Sequence, residues 1–275
     1  MRAELIWKDI EAQFISVLEK VPILKHYSRT RGWLYIIAWL HRITGLLLVL
    51  YLLFHIYSLS LLYSPDQYQA QMKTYSLAFV LFLEWALAIP VIFHALNGAR
   101  IILYETYSVR NDESMIRWIT ALSIIYVSIL GMLMLIGTQE VSAIFFWLNI
   151  FVIGLVAAYG ILLKMKDTYH SIFWKLQRIS AAFLMVMVPA HFIFMHLNPS
   201  VSKEATMVIS RMNSFFIKGV DVFLVVAALY HGAYGLISVL KDYFYPGIVR
   251  VSLASFVTLA MLIFAWVGIK LALTI

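Results

Sequence analysis

Long apolar stretches separated by short polar connections run along the whole chain. They occupy residues 33–62, 77–104, 116–137, 143–164, 174–197, 215–240 and 250–273. About 20 consecutive apolar residues in a helix cross the hydrocarbon core of a bilayer. Backbone polar groups must be satisfied internally in lipid, which favours helices over isolated strands. The pattern predicts an all-α fold, a polytopic membrane bundle of about seven transmembrane helices.

The basic residues of the connections are distributed unevenly between the two membrane surfaces. Most lie on the side that holds the N-terminus, whereas the opposite side holds Lys73, Lys203 and Arg211. Lysine and arginine accumulate in cytoplasmic loops. We therefore expect an integral membrane protein of a bacterial or archaeal cytoplasmic membrane, with the N-terminus in the cytoplasm and the C-terminus outside.

Composition excludes several classes of site. Of the 275 residues, 63% are hydrophobic and 13% charged, with a mean hydropathy of +0.88; soluble domains carry about 25% charged residues. The chain has no cysteine, which excludes iron–sulfur ligation, thiolate zinc sites, disulfides and covalent haem attachment within it. Phosphate-binding loops and the usual soluble catalytic motifs are missing. The net charge of +7 follows the membrane and does not indicate nucleic acid as a partner.

The first 32 residues differ from the rest of the chain. They mix charged and apolar positions, as in "KDIEAQFISVLEKVPILKHY", and they do not form a cleavable signal. We expect a cytoplasmic amphipathic segment over 1–32 that lies at the interface or docks a partner.

Two halves of the chain resemble each other. "WLHRITGLLLVLYLLFH" matches "WKLQRISAAFLMVMVPAH", with Arg42 and Arg178 136 residues apart, as are His55 and His191. "EWALAIPVIFHALNG" matches "DVFLVVAALYHGAYG" at an offset of 137. The polar matches are Arg42/Arg178, Thr44/Ser180, His55/His191, Glu84/Asp221, His94/His231 and Glu105/Asp242. Such coincidence indicates an internal repeat.

The repeat accounts for an odd number of spans. Both copies begin with an arginine on the inner side, so they are parallel. A chain that leaves the first three-helix copy on the outside needs one more span to return. We therefore expect a first repeat over 33–137, a connecting helix within 138–165 and a second repeat over 166–275.

Four histidines are matched by repeat and by depth. His94 and His231 each precede an acid at the inner end by 11 residues, or about 16 Å of helix. His55 and His191 each follow an inner-side arginine by 13 residues, or about 20 Å. One pair thus occupies the inner half of the bilayer and the other the outer half.

Facing histidines at one depth are what a bis-imidazole haem requires in a helical bundle. Gly98 and Gly235, one turn after the inner histidines, would leave room for a flat macrocycle, and Arg100 could meet a haem propionate. A single histidine in a membrane helix is more often an interhelical hydrogen-bonding residue. His26, His170 and His196 have no partner in the repeat, so interfacial or structural roles are expected for them.

The motifs carry a family resemblance. "LHRITG", a histidine 14 residues after His41 and "FLEWALAIPVIFHALNG" resemble cytochrome b anchors of succinate:quinone oxidoreductases and fumarate reductases, the respiratory complex II family. "LYHGAYGLISVLKDYFYPGIVR" resembles the small anchor subunit of the same family. The chain is therefore similar to two anchor subunits fused by a connecting helix.

This resemblance implies a set of functional residues. Two haems b would be ligated by His94 with His231 and by His55 with His191, as in the di-haem members. A quinone site on the inner side would use Arg42, His41, Asp242 and Tyr243, although interfacial anchoring accounts equally well for Arg42, Asp242 and Tyr243. The partners implied are an iron–sulfur subunit and a flavoprotein subunit of complex II.

The chain departs from the family pattern in two places. Ala38 stands where the family has a serine, which puts the quinone contacts in question. Ile101 replaces a histidine, and Glu105 replaces the usual aspartate.

Glu84 and Asp221 form a further matched pair of acids near the depth of the outer histidines. Acids within a membrane are functional candidates, so a role in proton transfer or at an outer site is one interpretation. A snorkelling role near a helix end is the alternative for Asp221.

The sequence thus predicts a haem-containing, quinone-reactive anchor that passes electrons between an iron–sulfur partner and membrane quinone. The chemistry of the dicarboxylate would belong to partner subunits. Two alternatives stay open: a cytochrome b of another membrane dehydrogenase, and a haem-free transporter that uses the histidines and acids as a proton relay.

Overall fold

The computed structural model describes residues 16, 20–109, 111–136, 143–197 and 199–275. Within these ranges the chain is helical and contains no strand, which confirms the all-α prediction. Most of the predicted amphipathic segment 1–32 lies outside the described residues, as do Arg110 and the connection 137–142.

The helices follow one another with short connections. In chain order they are α1 (Pro22–Arg31), α2 (Trp33–Ser60), α3 (Pro65–Tyr75), α4 (Ala78–Ala86), α5 (Ala88–Tyr107), α6 (Asp112–Ile136), α7 (Ala143–Met165), α8 (Ile172–Leu197), α9 (Pro199–Lys203), α10 (Ala205–Met212), α11 (Phe215–Tyr243) and α12 (Ile248–Thr274).

Each predicted span coincides with helical structure. Among the described residues, five stretches are long and apolar enough to cross a membrane: Trp33–Tyr63, Phe82–Tyr107, Ile172–Met195, Phe215–Tyr243 and Ile248–Thr274. Helices α6 and α7 contain shorter described apolar stretches, Ser114–Ser128 and Ile150–Met165. The predicted polytopic bundle is therefore confirmed.

The span predicted over 77–104 consists of two helices that meet at Leu87. Pro90 has no amide hydrogen, so the carbonyl of Ala86 lacks its usual partner four residues later. The amides of Leu87 and Val91 still bond to Leu83 and Leu87, at 3.0 and 3.2 Å. The proline therefore interrupts the helix without ending the span.

Four helices form a closed ring. Helix α2 packs on α5, α5 on α8, α8 on α11, and α11 back on α2. The third helix of each predicted repeat lies outside the ring, since α6 packs on α5 and α12 packs on α11. Helix α7 packs mainly on α8. The ring thus takes two helices from each predicted repeat.

Short helices cover one end of the ring. Tyr68 and Met72 of α3 pack against Val208 and Met212 of α10 in one buried cluster. The hydroxyl of Tyr68 donates a hydrogen bond to the carbonyl of Ser202. These contacts join α3 of the first predicted repeat to α9 and α10 of the second.

Helices α11 and α12 approach closely at Gly268. A Cβ atom added there would lie 2.9 Å from Cγ2 of Val225, whereas one added at Gly219 would meet nothing within 4 Å. We expect Gly268→Ala to destabilise the protein by about 1–3 kcal/mol, because overpacking displaces the neighbouring helix. Gly219→Ala, the control on α11, should be neutral or stabilising by up to about 1 kcal/mol. Thermal unfolding in detergent would compare the two, and equal melting temperatures would contradict this packing.

Candidate functional site

The ring of four helices brings the matched histidines together in two pairs. His94 of α5 faces His231 of α11, with ring centroids 6.1 Å apart and ring planes at 88°. His55 of α2 faces His191 of α8, at 6.0 Å and 89°. Each helix of the ring contributes one histidine, and each pair joins the two predicted repeats.

The spacing within both pairs fits one metal centre between two imidazoles. Metal–imidazole bonds are about 2 Å long, and a ring nitrogen lies about 1 Å from its ring centroid, which places centroids about 6 Å apart. Aromatic rings in simple edge contact also lie 4.5–7 Å apart, so the spacing is compatible both with a ligand role and with simple ring contact. Two neutral imidazoles in an apolar bundle suit haem iron.

The hydrogen bonds of His94 leave one ring nitrogen available. Its Nδ1 atom lies 3.1 Å from the carbonyl of His41 and 3.2 Å from Oγ1 of Thr44. The hydroxyl of Thr44 itself donates to the carbonyl of Leu40 at 2.8 Å. Nδ1 is therefore the protonated donor, and Nε2 keeps its lone pair, as is usual for histidines that bind metals.

His231 has an equivalent neighbour. It interacts with the backbone of Gln177, the residue that the repeat aligns with His41. Its Nδ1 atom is buried and makes no well-aligned hydrogen bond within the described part of the chain. The two inner imidazoles are thus placed alike but held differently.

Three of the four residues predicted to bind quinone lie together at one end of the ring. We call this the inner end because the sequence predicts that it faces the cytoplasm. Arg42 of α2 donates to a carboxylate oxygen of Asp242 at 2.7 Å and to the hydroxyl of Tyr243 at 3.4 Å. Trp39 lies against Tyr243, with ring centroids 5.7 Å apart. His41 points away from this cluster and stacks on His94, at 4.0 Å between centroids.

A second ion pair also joins the two predicted repeats, but here the arginine belongs to the second repeat and the acid to the first. Arg178 of α8 makes two hydrogen bonds of 2.8 Å to the carboxylate of Glu105, and its guanidinium lies over Trp174. The arginine of each predicted repeat therefore binds the acid of the other. The side chains of Arg178 and Glu105 are 17% and 29% exposed, against 35% and 48% for Arg42 and Asp242.

Arg100, expected near a haem propionate, lies in α5 six residues after His94. Its Nε atom donates to the amide oxygen of Asn97 at 3.0 Å. Asn97 is fully buried, and its amide nitrogen has no hydrogen-bond partner within the described part of the chain. Asn97 carried no sequence signal beyond its place in "HALNG".

The two outer acids lie beside cations of the short helices. Glu84 is 3.4 Å from the ammonium of Lys203 in α9. Asp221 interacts with Arg211 in α10, and Arg211 also donates to the carbonyl of Val201 at 2.8 Å.

Burial lowers the pKa of Arg211 and raises the pKa of Tyr68 to about 12. The phenol of Tyr68 therefore stays a hydrogen-bond donor throughout the neutral range.

Neither Gly98 nor Gly235 is crowded by a neighbouring side chain, which is compatible with the room expected there for a flat macrocycle. A Cβ atom at Gly235 would meet nothing within 4 Å, and one at Gly98 would make an ordinary contact of 3.8 Å with His41. A close approach to one of the four histidines occurs at Gly45, where a Cβ atom would lie 2.9 Å from Cε1 of His94. Gly232, the residue after His231, approaches α2 as closely, because a Cβ atom there would lie 2.8 Å from Cγ2 of Val49. The sequence analysis assigned no role to Gly45, although its place one turn after His41 was the available signal.

The remaining histidines make aromatic contacts where they are described. His170 stacks on Trp174 at 3.8 Å, and His26 packs edge-on against Tyr27 at 5.3 Å. The side chain of His196 lies outside the described part of the chain.

Comparison with protein families gives two matches. The sequence profile described as succinate dehydrogenase/fumarate reductase transmembrane subunit matches residues 21–135 and residues 158–269. The matches together cover more than half of the chain, and one falls on each predicted repeat. They agree with two anchor subunits fused in one chain. Neither a curated protein nor a solved structure matches at the significance required.

The two reciprocal ion pairs should differ in their contribution to stability. Glu105→Gln leaves the shielded Arg178 without its counter-charge, so we expect a loss of about 1–3 kcal/mol. Asp242→Asn removes a pair that is more exposed to solvent and should cost about 0–1 kcal/mol. Thermal unfolding of both variants in detergent measures the difference. An equal loss, or a larger loss for Asp242→Asn, would contradict the burial of the Arg178–Glu105 pair.

Proposed function

Since the chain belongs to the family of succinate dehydrogenase/fumarate reductase transmembrane subunits, we propose that it is a di-haem, quinone-reactive membrane anchor. It passes electrons between an iron–sulfur subunit and a membrane quinone. The observation that carries the proposal is the presence of two histidine pairs with the same spacing, each joining the two matched regions. The family favours this function over a transporter or the cytochrome b of another dehydrogenase.

The four histidines are the proposed haem ligands. His94 with His231 would hold the inner haem b, and His55 with His191 the outer one. Haem, when bound there, carries one electron at a time at its iron. The chain's own contribution is to present neutral imidazoles in fixed orientations, as the Nδ1 bond of His94 does, and to exclude water with the surrounding apolar helices.

The two pairs lie at different depths in the bundle. His94 contacts α2 at His41 and Thr44, which precede His55 by 14 and 11 residues. At 1.5 Å per residue, the pairs are separated by about 16–21 Å along α2. This spacing supports a path in which the inner centre lies near the quinone site and the outer centre lies near the opposite surface.

The proposed quinone site comprises Arg42, Asp242 and Tyr243, with His41 behind it. Guanidinium and phenol groups can donate hydrogen bonds to a quinone carbonyl, and a carboxylate can exchange protons with the reduced oxygen. The greater exposure of this cluster compared with the Arg178–Glu105 pair supports its choice as the accessible one. The hydroxyl of Tyr243 and the carboxylate of Asp242 already converge on Arg42.

The departures from the family pattern have a structural counterpart. Glu105, which replaces the usual aspartate, accepts hydrogen bonds from Nε and Nη2 of Arg178 in a bidentate pair. Ala38 lies one residue before Trp39, whose ring packs on Tyr243.

The iron–sulfur and flavoprotein subunits are the proposed partners, docked at the inner end where Arg42 and Asp242 lie. We propose that this end faces the cytoplasm of a bacterial or archaeal cell, with the C-terminus outside, because the basic connections lie on that side. Succinate or fumarate chemistry would take place in the partner subunits.

Glu84 and Asp221 are proposed to act near the outer centre. Lys203 of α9 lies 3.4 Å from Glu84 of α4, and Arg211 of α10 interacts with Asp221 of α11. A proton or outer-site role would use the same carboxylates after these contacts open.

Substitution of the inner histidines tests the ligand assignment. The double variant His94→Leu/His231→Leu should lose about half of the haem and all quinone reduction, because only the outer pair keeps two imidazoles. The matched double variant His55→Leu/His191→Leu should lose the other half. Haem per polypeptide and the reduced-minus-oxidised spectrum are measured on the purified complex. Full haem content in either double variant would contradict the ligand set, and replacement of His170 serves as the control.

A further inference from the structure

The imidazole of His94 is enclosed on two sides by residues of α2. The ring of His41 stacks on it, with centroids 4.0 Å apart and planes inclined by only 5°. Gly45, one turn along α2, leaves space into which the His94 ring fits, since a Cβ atom there would lie 2.9 Å from its Cε1 atom. The carbonyl of His41 also bonds to Nδ1 of His94 at 3.1 Å. Three separate contacts therefore fix one ring.

We propose that His41 is a positioning residue that fixes the ring plane of His94, and so the angle between the axial imidazoles of the inner centre. The inference rests on the proposed haem ligation. It gives His41 a role different from that of a quinone ligand. The side chain of Arg42, its neighbour, is engaged by Asp242 and Tyr243, whereas the ring of His41 faces His94.

The second repeat lacks this arrangement. The repeat aligns Gln177 with His41 and Ala181 with Gly45. Gln177 has no ring to stack, and Ala181 has the Cβ atom that Gly45 lacks. The aligned positions of the second repeat therefore offer His231 neither a stacking ring nor a glycine. The rings of His94 and His231 stand at 88° to one another.

The outer pair has looser aromatic neighbours. The ring of Tyr51 lies 5.6 Å from that of His55, with planes inclined by 19°, and the ring of Trp147 lies 6.0 Å from that of His191, at 49°. The close parallel stack is therefore a property of the inner pair among the described contacts.

The ring-plane angle has a spectroscopic consequence. In low-spin ferric haem, the relative orientation of two axial imidazoles sets the splitting of the iron orbitals that carry the unpaired electron. The low-field electron paramagnetic resonance signal reports that splitting directly, and the reduction potential follows the same surroundings of the ligand. Release of the His94 ring should therefore move the signal of the inner centre and leave that of the outer centre in place.

Three variants of the purified complex test the proposal. His41→Leu removes the stacking ring and keeps the backbone carbonyl, so haem content should stay at the wild-type level while the inner low-field signal shifts and broadens. His41→Phe keeps an aromatic ring and should restore the wild-type signal. Gln177→Leu, at the matched position of the second repeat, is the control and should leave both signals unchanged.

The outcomes separate this proposal from the proposed function. An unchanged inner signal in His41→Leu, with haem bound, would overturn the positioning role. If His41→Leu keeps the wild-type signal, and both His41→Leu and His41→Phe raise the KM for quinone, His41 would be assigned to quinone binding instead. Absence of haem from the wild-type complex would overturn the proposed function itself.

Discussion

Polar side chains inside the ring of α2, α5, α8 and α11 must find partners in the protein, because hydrocarbon supplies none and an unpaired polar group there costs several kcal/mol. Many of these partners come from the other repeat. Each of the two histidine pairs and each of the two ion pairs takes one side chain from either half of the molecule. The halves consequently cannot shift relative to one another without separating several polar contacts at once. The bundle holds its geometry through these contacts as well as through apolar packing.

The two halves share a plan but differ where the chemistry is proposed. At the inner end, one ion pair is half-exposed and flanked by a phenol, whereas its counterpart is more shielded and bidentate. Of the inner histidines, His94 is enclosed by the ring of His41 and by Gly45, whereas His231 has no such enclosure among the described residues. A fused repeat allows each copy to change independently. The half-exposed Arg42–Asp242 pair is thereby suited to a ligand that enters from the membrane, whereas the shielded Arg178–Glu105 pair is suited to a structural role.

Much of this arrangement could be predicted from the sequence. Apolar length located the spans, and the repeat identified the four histidines, because residues at equal offsets in parallel copies occupy equal depths. The repeat could not show that Arg178 binds Glu105 while Arg42 binds Asp242, since offsets relate equivalent positions and do not specify contacts between copies. The role of Gly45 was missed for a similar reason: it depends on how closely α5 approaches α2. The break at Leu87 and the short helices over 65–75 and 199–212 are local features that average apolarity does not resolve.

The central claim is that both histidine pairs bind haem, and the most direct measurement is the haem content of the wild-type complex. A reduced-minus-oxidised visible spectrum, with haem quantified per polypeptide by extraction, measures it. The account predicts two b-type haems per chain, reduced in two separate steps in a potentiometric titration. A complex that contains no haem, or one haem that titrates in a single step, would contradict it.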